Sequence, residues 1–252
     1  MDVKVLGSFG GQSPGLRLTS LLINGTVALD AGSLSQALEI EQQVEVRSIV
    51  LTHSHMDHIS SLPFFVENVF GQGAGIDIYA SADTIYAIRK YLFNNSTWPD
   101  FTRIPNHLLP AMRFHEIEES VPFSVDGVSF TPFAVHHVVP TFGFLVEQGD
   151  SAFLWSSDTG PTNRLWELAN SARNLKVVCV ETSFDNSLQR VADLSMHLTP
   201  RTLATELSKL SRSLPVLIHH LKPACVSKIH EEIRALDRPD LEYLEQGRTY
   251  LF

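Results

Sequence analysis

The segment Thr52-His53-Ser54-His55-Met56-Asp57-His58 holds three imidazoles and a carboxylate within six positions, directly after the apolar run Ser48-Ile49-Val50-Leu51. Neutral imidazole and carboxylate are the donors that zinc and similar divalent cations accept. A helical surface would carry such residues at three- and four-residue spacing. An extended loop instead sends alternate residues to one side, so His53 and His55 are expected together, with Asp57 and His58 turning to a second point nearby. The apolar run reads as a buried strand, which puts the cluster on the loop leaving its carboxyl end.

Four donors on one loop cannot surround two cations, so other strand ends must supply more. Three places qualify. Phe133-Ala134-Val135-His136-His137 and Val216-Leu217-Ile218-His219-His220 each end an apolar run in two histidines. Phe153-Leu154-Trp155-Ser156-Ser157-Asp158 sets a carboxylate just beyond another. Strand alternation sends one ring of each His pair inward without saying which. His107, His115 and His230 have no such setting and are expected at the surface or in packing.

The elements that would carry these residues alternate along the chain. Val3 to Ser8 reads as a strand entering a turn with Gly7, Gly10, Gly11 and Gly15, whose spacing matches neither common phosphate-binding glycine motif. Leu18 to Ile23 and Thr26 to Asp30 form a hairpin about Asn24-Gly25. A helix is expected over Ser33 to Gln42, a strand at Ile49 to Leu51, and a helix over Ser60 to Phe70. Strand Ile76 to Ala80 precedes a helix capped by Ser81 and reaching Phe93. The proline- and aromatic-rich stretch 94–115 breaks the pattern and reads as a surface loop or cap. The second half opens with strands at 112–117, 128–135, 142–147 and 152–155. Helices over 162–171, 199–211 and 223–235 then alternate with strands 177–180 and 216–218, and strands 241–244 and 248–252 close the chain. Two mixed sheets face to face with helices outside satisfy this order, and no linker divides the 252 residues, so a single domain is expected.

Composition narrows the partners. No apolar run approaches the roughly 18 residues needed to span a membrane, and the N-terminal residues lack the pattern of a secretory leader. Cys179 and Cys225 have no redox or metal spacing and read as two reduced thiols of a cytoplasmic protein. A net charge of −9 argues against broad adhesion to a polynucleotide, but not against a small phosphorylated substrate, because bound cations reverse the local field.

Thr52 to His58 resembles the HxHxDH signature of the metallo-β-lactamase superfamily, and His137, Asp158 and His220 follow in its order. The resemblance implies an α/β, four-layer αββα sandwich with the metal site at one edge of its two sheets. The blocks beginning at His53, His137, Ser156, Glu181 (Glu-Thr-Ser-Phe), His197 (His-Leu-Thr-Pro) and His220 (His-Leu-Lys-Pro) resemble, more narrowly, class II cyclic-nucleotide phosphodiesterases over nearly the whole chain. By this likeness His53, His55 and His137 hold one cation, Asp57, His58 and His220 the other, and Asp158 bridges. Nitrogen and carboxylate donors without cysteine accept zinc, the expected metal, or else manganese or iron. Two departures stand out: Ser61 and Met196 occupy positions where glycine is usual.

What the resemblance implies is hydrolysis of a 3′,5′-cyclic nucleotide, cyclic AMP or cyclic GMP, to the 5′-nucleotide, possible pairing into a homodimer included. A metal pair suits it, since two cations activate water and hold a phosphoryl oxygen. Asp57 would ligate and orient the nucleophile. His197, its ring held by Glu181, would protonate the leaving 3′-oxygen. The Glu181 and His197 blocks also resemble tRNA 3′-processing endonucleases of the superfamily. That alternative needs a basic arm for a polynucleotide, and 94–115 carries only Arg103 and Arg113. A β-lactam or thioester hydrolase leaves the Glu181 and His197 blocks unexplained. A binding module without catalysis has no need of seven ligand-type residues.

Overall fold

A computed structural model describes residues 1–72, 75–106 and 109–252. His107 lies outside the described residues. The chain divides into two compact units, neither a continuous stretch: residues 1–7, 17–118 and 246–251 form the first, and 8–16, 119–245 and 252 the second.

The first unit is a seven-stranded sheet with helices. Its strands are β1 (Asp2–Gly7), β2 (Ser20–Ile23), β3 (Val27–Leu29), β4 (Ser48–Val50), β5 (Ile76–Ala80), β6 (Met112–Glu116) and the last strand of the chain, Thr249–Leu251. The last strand lies beside β1, and β1 to β6 follow in order. The β2–β3 hairpin turns at Asn24 and Gly25, both at positive φ, as a tight two-residue loop requires. From β3 to β6 the strands are parallel. Leu6, Ala28, Ile49 and Ile78 of this sheet share a core with Leu34, Leu62, Phe65 and Ile88 of the helices.

Two expectations are corrected here. The helix expected over 33–42 is two, Leu34–Ala37 and Ile40–Glu45. Leu38 between them is extended, and the Gln42 side chain accepts the Glu39 N–H, which starts a new helix instead of continuing the first. Strands 112–116 and 249–251 belong to this sheet and not to the second half's. The aromatics of 94–115 that are described anchor this core: Trp98 packs edge-on to Phe64, and Phe101 to Phe70 and Phe93.

The second unit is also seven-stranded. It comprises β7 (Phe123–Val125), β8 (Val128–Ala134), β9 (Phe142–Gln148), β10 (Ser151–Trp155), β11 (Leu175–Glu181), β12 (Val216–His219) and β13 (Leu241–Tyr243), side by side in that order. β7 and the helix Gln189–Ser195 are additions to the sequence reading. β8, β9 and β10 alternate in direction, whereas β10 to β13 are parallel. β8, β10, β11 and β12 therefore run the same way and end along one edge. Open sheets put their chemistry at such carboxyl ends. The core behind this sheet joins Leu154, Val178, Val180 and Ile218 to Leu165, Trp166, Leu203 and Ile229 of the helices. No helix among the described residues is long and apolar enough to cross a membrane.

Candidate metal centre and proton donor

In the first unit the histidine cluster follows β4. His53 and His55 are in extended chain, and one helical turn, Met56–Ile59, begins directly after His55. The switch from extended to helical backbone is what turns Asp57 and His58 out of the alternation that His53 and His55 follow. The His53 ring lies 4.7 Å from that of His55 and 4.2 Å from that of His58, centroid to centroid. His53 and His58 are buried, and His55 and Asp57 half-buried.

Asp30, just past β3, organises this cluster, and the sequence reading did not single it out. It is fully buried and accepts the Thr52 N–H at 2.9 Å, the Thr52 hydroxyl at 3.0 Å and His58 Nδ1 at 2.7 Å. The Thr52 hydroxyl gives its proton to the carboxylate, so its oxygen accepts from His53 Nδ1 at 3.0 Å. The criterion that found Asp158, a carboxylate immediately past an apolar strand, would also have found Asp30. Ser61 stitches the Asp30 loop to the helix: its hydroxyl donates to the Ala31 carbonyl and accepts the Leu34 N–H. A glycine there would lose both bonds.

In the second unit four residues stand where four co-directional strands end. His137 follows β8, Asp158 follows β10, Glu181 closes β11 and His220 follows β12. Of the two His pairs, His136 is exposed, and His219 stacks on Trp155 with ring centroids 3.9 Å apart. His220 has left the strand in a left-handed conformation, φ 66°, and its Nε2 lies 3.1 Å from Asp158 Oδ1. His137 Nε2 lies 4.0 Å from the other oxygen, Oδ2. One carboxylate thus presents an oxygen to each of two imidazoles.

The rings share a feature that tests their fitness for a cation. His53, His58, His137 and His220 each engage a protein oxygen through Nδ1: Thr52 Oγ1, Asp30 Oδ2, the Met196 carbonyl at 3.2 Å and Ser183 Oγ at 2.9 Å. Donation from Nδ1 fixes the tautomer and directs the basic Nε2 to the opposite side of the ring. Metal-bound histidines are held this way. In the second unit Ser157, Met196 and His220 are left-handed non-glycine residues, as is Asp30 in the first, each at a cost of about 1–3 kcal/mol. Met196, at the usual glycine position, ends the helix Gln189–Ser195 and points its carbonyl at His137.

Glu181 and His197 form a separate buried pair, with His197 Nδ1 2.6 Å from Glu181 Oε1. The carboxylate also accepts the Thr159 N–H, the Leu198 N–H and the Ser183 hydroxyl, so its burial is compensated. Burial disfavours the charged form of His197, but the charge and hydrogen bond of Glu181, with Asp158 beyond, outweigh it and raise its pKa above the ordinary 6.5. The ring lies 5.0 Å from that of His137 and 5.5 Å from that of His220. Among the other described histidines, His115 bonds to Asp77 and stacks on Tyr79, and His230 lies against Tyr243. Burial holds the Cys179 thiol well above its usual range and raises that of Cys225, and both are free.

A family model for the β-lactamase superfamily domain matches residues 20–220. The chain belongs to that superfamily and is a metal-dependent hydrolase of the phosphodiesterase type. A Yersinia pestis protein described as a probable 3′,5′-cyclic-nucleotide phosphodiesterase is 30% identical, over 88% of this chain and 78% of its own. Ribonuclease Z of Mycobacterium sp. (strain KMS) is 28% identical, over 70% and 66%. The crystal structure of unliganded yeast PDE1 shares the fold, with a TM-score of 0.82, 19% identity and 98% of both chains covered.

Proposed function

We propose that this enzyme opens a 3′,5′-cyclic nucleotide, cyclic AMP or cyclic GMP, to the 5′-nucleotide. By the superfamily signature, and not by any placement of the two units, His53, His55, His137 and Asp158 would hold one divalent ion, and Asp57, His58, His220 and the shared Asp158 a second. Histidine and carboxylate donors suit zinc, with manganese or iron also accommodated. When bound, such a pair supplies Lewis acidity toward phosphoryl oxygens and makes water nucleophilic near neutral pH. The chain's own residues do the rest. Asp57 orients the attacking water against phosphorus. As the P–O3′ bond breaks, His197 delivers the proton from Nε2 to the departing 3′-oxygen, while Glu181 accepts from Nδ1 and stabilises the protonated ring.

The observation that carries this reading is the buried Glu181–His197 contact, a built proton donor that a metal-storage or binding module has no use for. A small cyclic substrate is favoured over a polynucleotide by the net charge of −9. It is also favoured by a 94–115 segment whose described aromatics are spent on the core.

The test combines metal analysis of the purified protein with rates on cyclic AMP, cyclic GMP, bis(p-nitrophenyl) phosphate and a tRNA precursor with a 3′ trailer. Two ions per chain and release of a 5′-nucleotide are expected. His197→Ala should keep both ions and lose about 100-fold or more in kcat. Trailer cleavage with cyclic nucleotides untouched would identify a tRNA-processing enzyme instead, and full turnover by metal-free protein would end the reading altogether.

A further inference from the structure

Glu181, His197 and His220 form a third cluster of possible metal donors, but a hydroxyl fills its middle. Ser183 Oγ lies 3.0 Å from Glu181 Oε2, 3.2 Å from His197 Nδ1 and 2.9 Å from His220 Nδ1. Ser183 is fully buried. Its backbone is tied on both sides, its N–H donating to the Leu198 carbonyl and its carbonyl accepting the Lys222 N–H. We propose that Ser183 is the positioning residue that couples the cation ligand His220 to the proton donor His197.

A hydroxyl has one proton to give and two lone pairs, which sets the order of donors. If His220 binds a cation through Nε2, its Nδ1 carries a proton and must donate it, and Ser183 Oγ is the acceptor at hand. The Ser183 proton then goes to Glu181 Oε2 in preference to the neutral His220 carbonyl at 3.2 Å, because a carboxylate is the stronger acceptor. Glu181 Oε1 is left to accept from His197 Nδ1, which puts the transferable proton of His197 on Nε2. A single chain, His220 to Ser183 to Glu181 to His197, thereby fixes the tautomer of both rings. Removing the hydroxyl leaves the His220 N–H without its acceptor and takes one donor from Glu181, so both functions weaken together.

The inference rests on the metal-centre reading above, and its test separates the two. Wild type, Ser183→Ala and Ser183→Thr are compared for affinity toward Zn²⁺ alone by chelator competition, for kcat and KM on cyclic AMP, and for melting temperature. In Ser183→Ala the weaker of the two zinc dissociation constants should rise 10- to 100-fold. With zinc saturating, kcat should fall at least 10-fold while KM stays within about twofold. Ser183→Thr, which keeps the hydroxyl, should recover most of both. Wild-type zinc affinity and kcat in Ser183→Ala would overturn the coupling. So would equal losses in both variants accompanied by a lowered melting temperature, which would mark a packing role. A wild-type protein that binds none of zinc, manganese and iron would overturn the metal centre itself, and the coupling with it.

Discussion

Gly10 offers a sharp probe of how His220 is seated in the second unit. A methyl group built on it would lie 2.5 Å from Cε1, 2.6 Å from Nδ1 and 2.8 Å from the carbonyl oxygen of His220. An ordinary carbon–carbon contact is about 3.5 Å, so Gly10→Ala demands a displacement of roughly 1 Å. The ring cannot swing aside cheaply. Ser183 holds its Nδ1, Asp158 faces its Nε2, and the His220 N–H donates to the Ser8 carbonyl at 2.6 Å. The turn cannot retreat freely either, because the Gly10 N–H donates to Leu221 and the Gly10 carbonyl accepts Lys222 Nζ. A misplacement of about 1 Å in a catalytic constellation costs on the order of 100-fold in rate, or about 2.7 kcal/mol of barrier. Gly160→Ala is the matched control, since its new methyl would meet nothing nearer than 3.5 Å. Steady-state kinetics with zinc saturating, together with zinc affinity by chelator competition, should show Gly10→Ala down about 100-fold in kcat and weaker in zinc. Gly160→Ala should lie within about threefold of wild type. A folded Gly10→Ala protein with wild-type kcat and zinc affinity would refute the claim that the glycine turn seats His220.

Two further outcomes follow from strain and charge. Met196→Gly relieves a left-handed non-glycine residue, φ 54°, while keeping the carbonyl that His137 uses, and should add about 0.5–1 kcal/mol, raising the melting temperature by about 2–3 °C; an unchanged or lower melting temperature would count against strain there. Burial works against the Asp185 carboxylate, but the Ser187 and Lys228 contacts outweigh it and hold its pKa below the usual 3.8, so its contribution is complete above the unfolded-state pKa and lost as pH falls through the folded value. Asp185→Asn should therefore cost about 1 kcal/mol at pH 7 in urea unfolding, with the gap to wild type narrowing progressively once pH falls below the unfolded-state value of about 4; a gap that does not narrow at all in acid would show that the loss is not electrostatic.

The parts of this molecule legible in the sequence are those where function is written in local spacing. His53, His55, Asp57 and His58 declare themselves because four donors in six positions have no packing rationale. Asp158 does so because a carboxylate past a buried strand must be used or compensated. Most strands were readable from their apolar runs. The residues that hold the donors were not. Thr52 and Ser183 act through hydrogen bonds made across loops, and the role of Met196 lies in its carbonyl, which no side-chain pattern reveals. The assignment of Met112–Glu116 to the first sheet depends on parallel pairing with β5 across a connection that includes the helix Ala82–Tyr91. The helix Gln189–Ser195 escaped because Val191 and Leu194 are exposed, so it lacks an inward apolar stripe. Leu38 broke a periodic segment because a side-chain cap three residues long outweighed the hydrophobic rhythm.

The pairing of β1 with the chain's last strand, Val3 opposite Tyr250, has a consequence for synthesis. During translation the outer rim of β1 stays bare until residues 249–251, made after β2 to β13, have left the ribosome. An unsatisfied strand rim is a template for adhesion to neighbouring chains. The first unit thus waits, open along one side, for a segment made after the whole of β7 to β13, and nascent chains stalled before residue 249 should be the ones that clump.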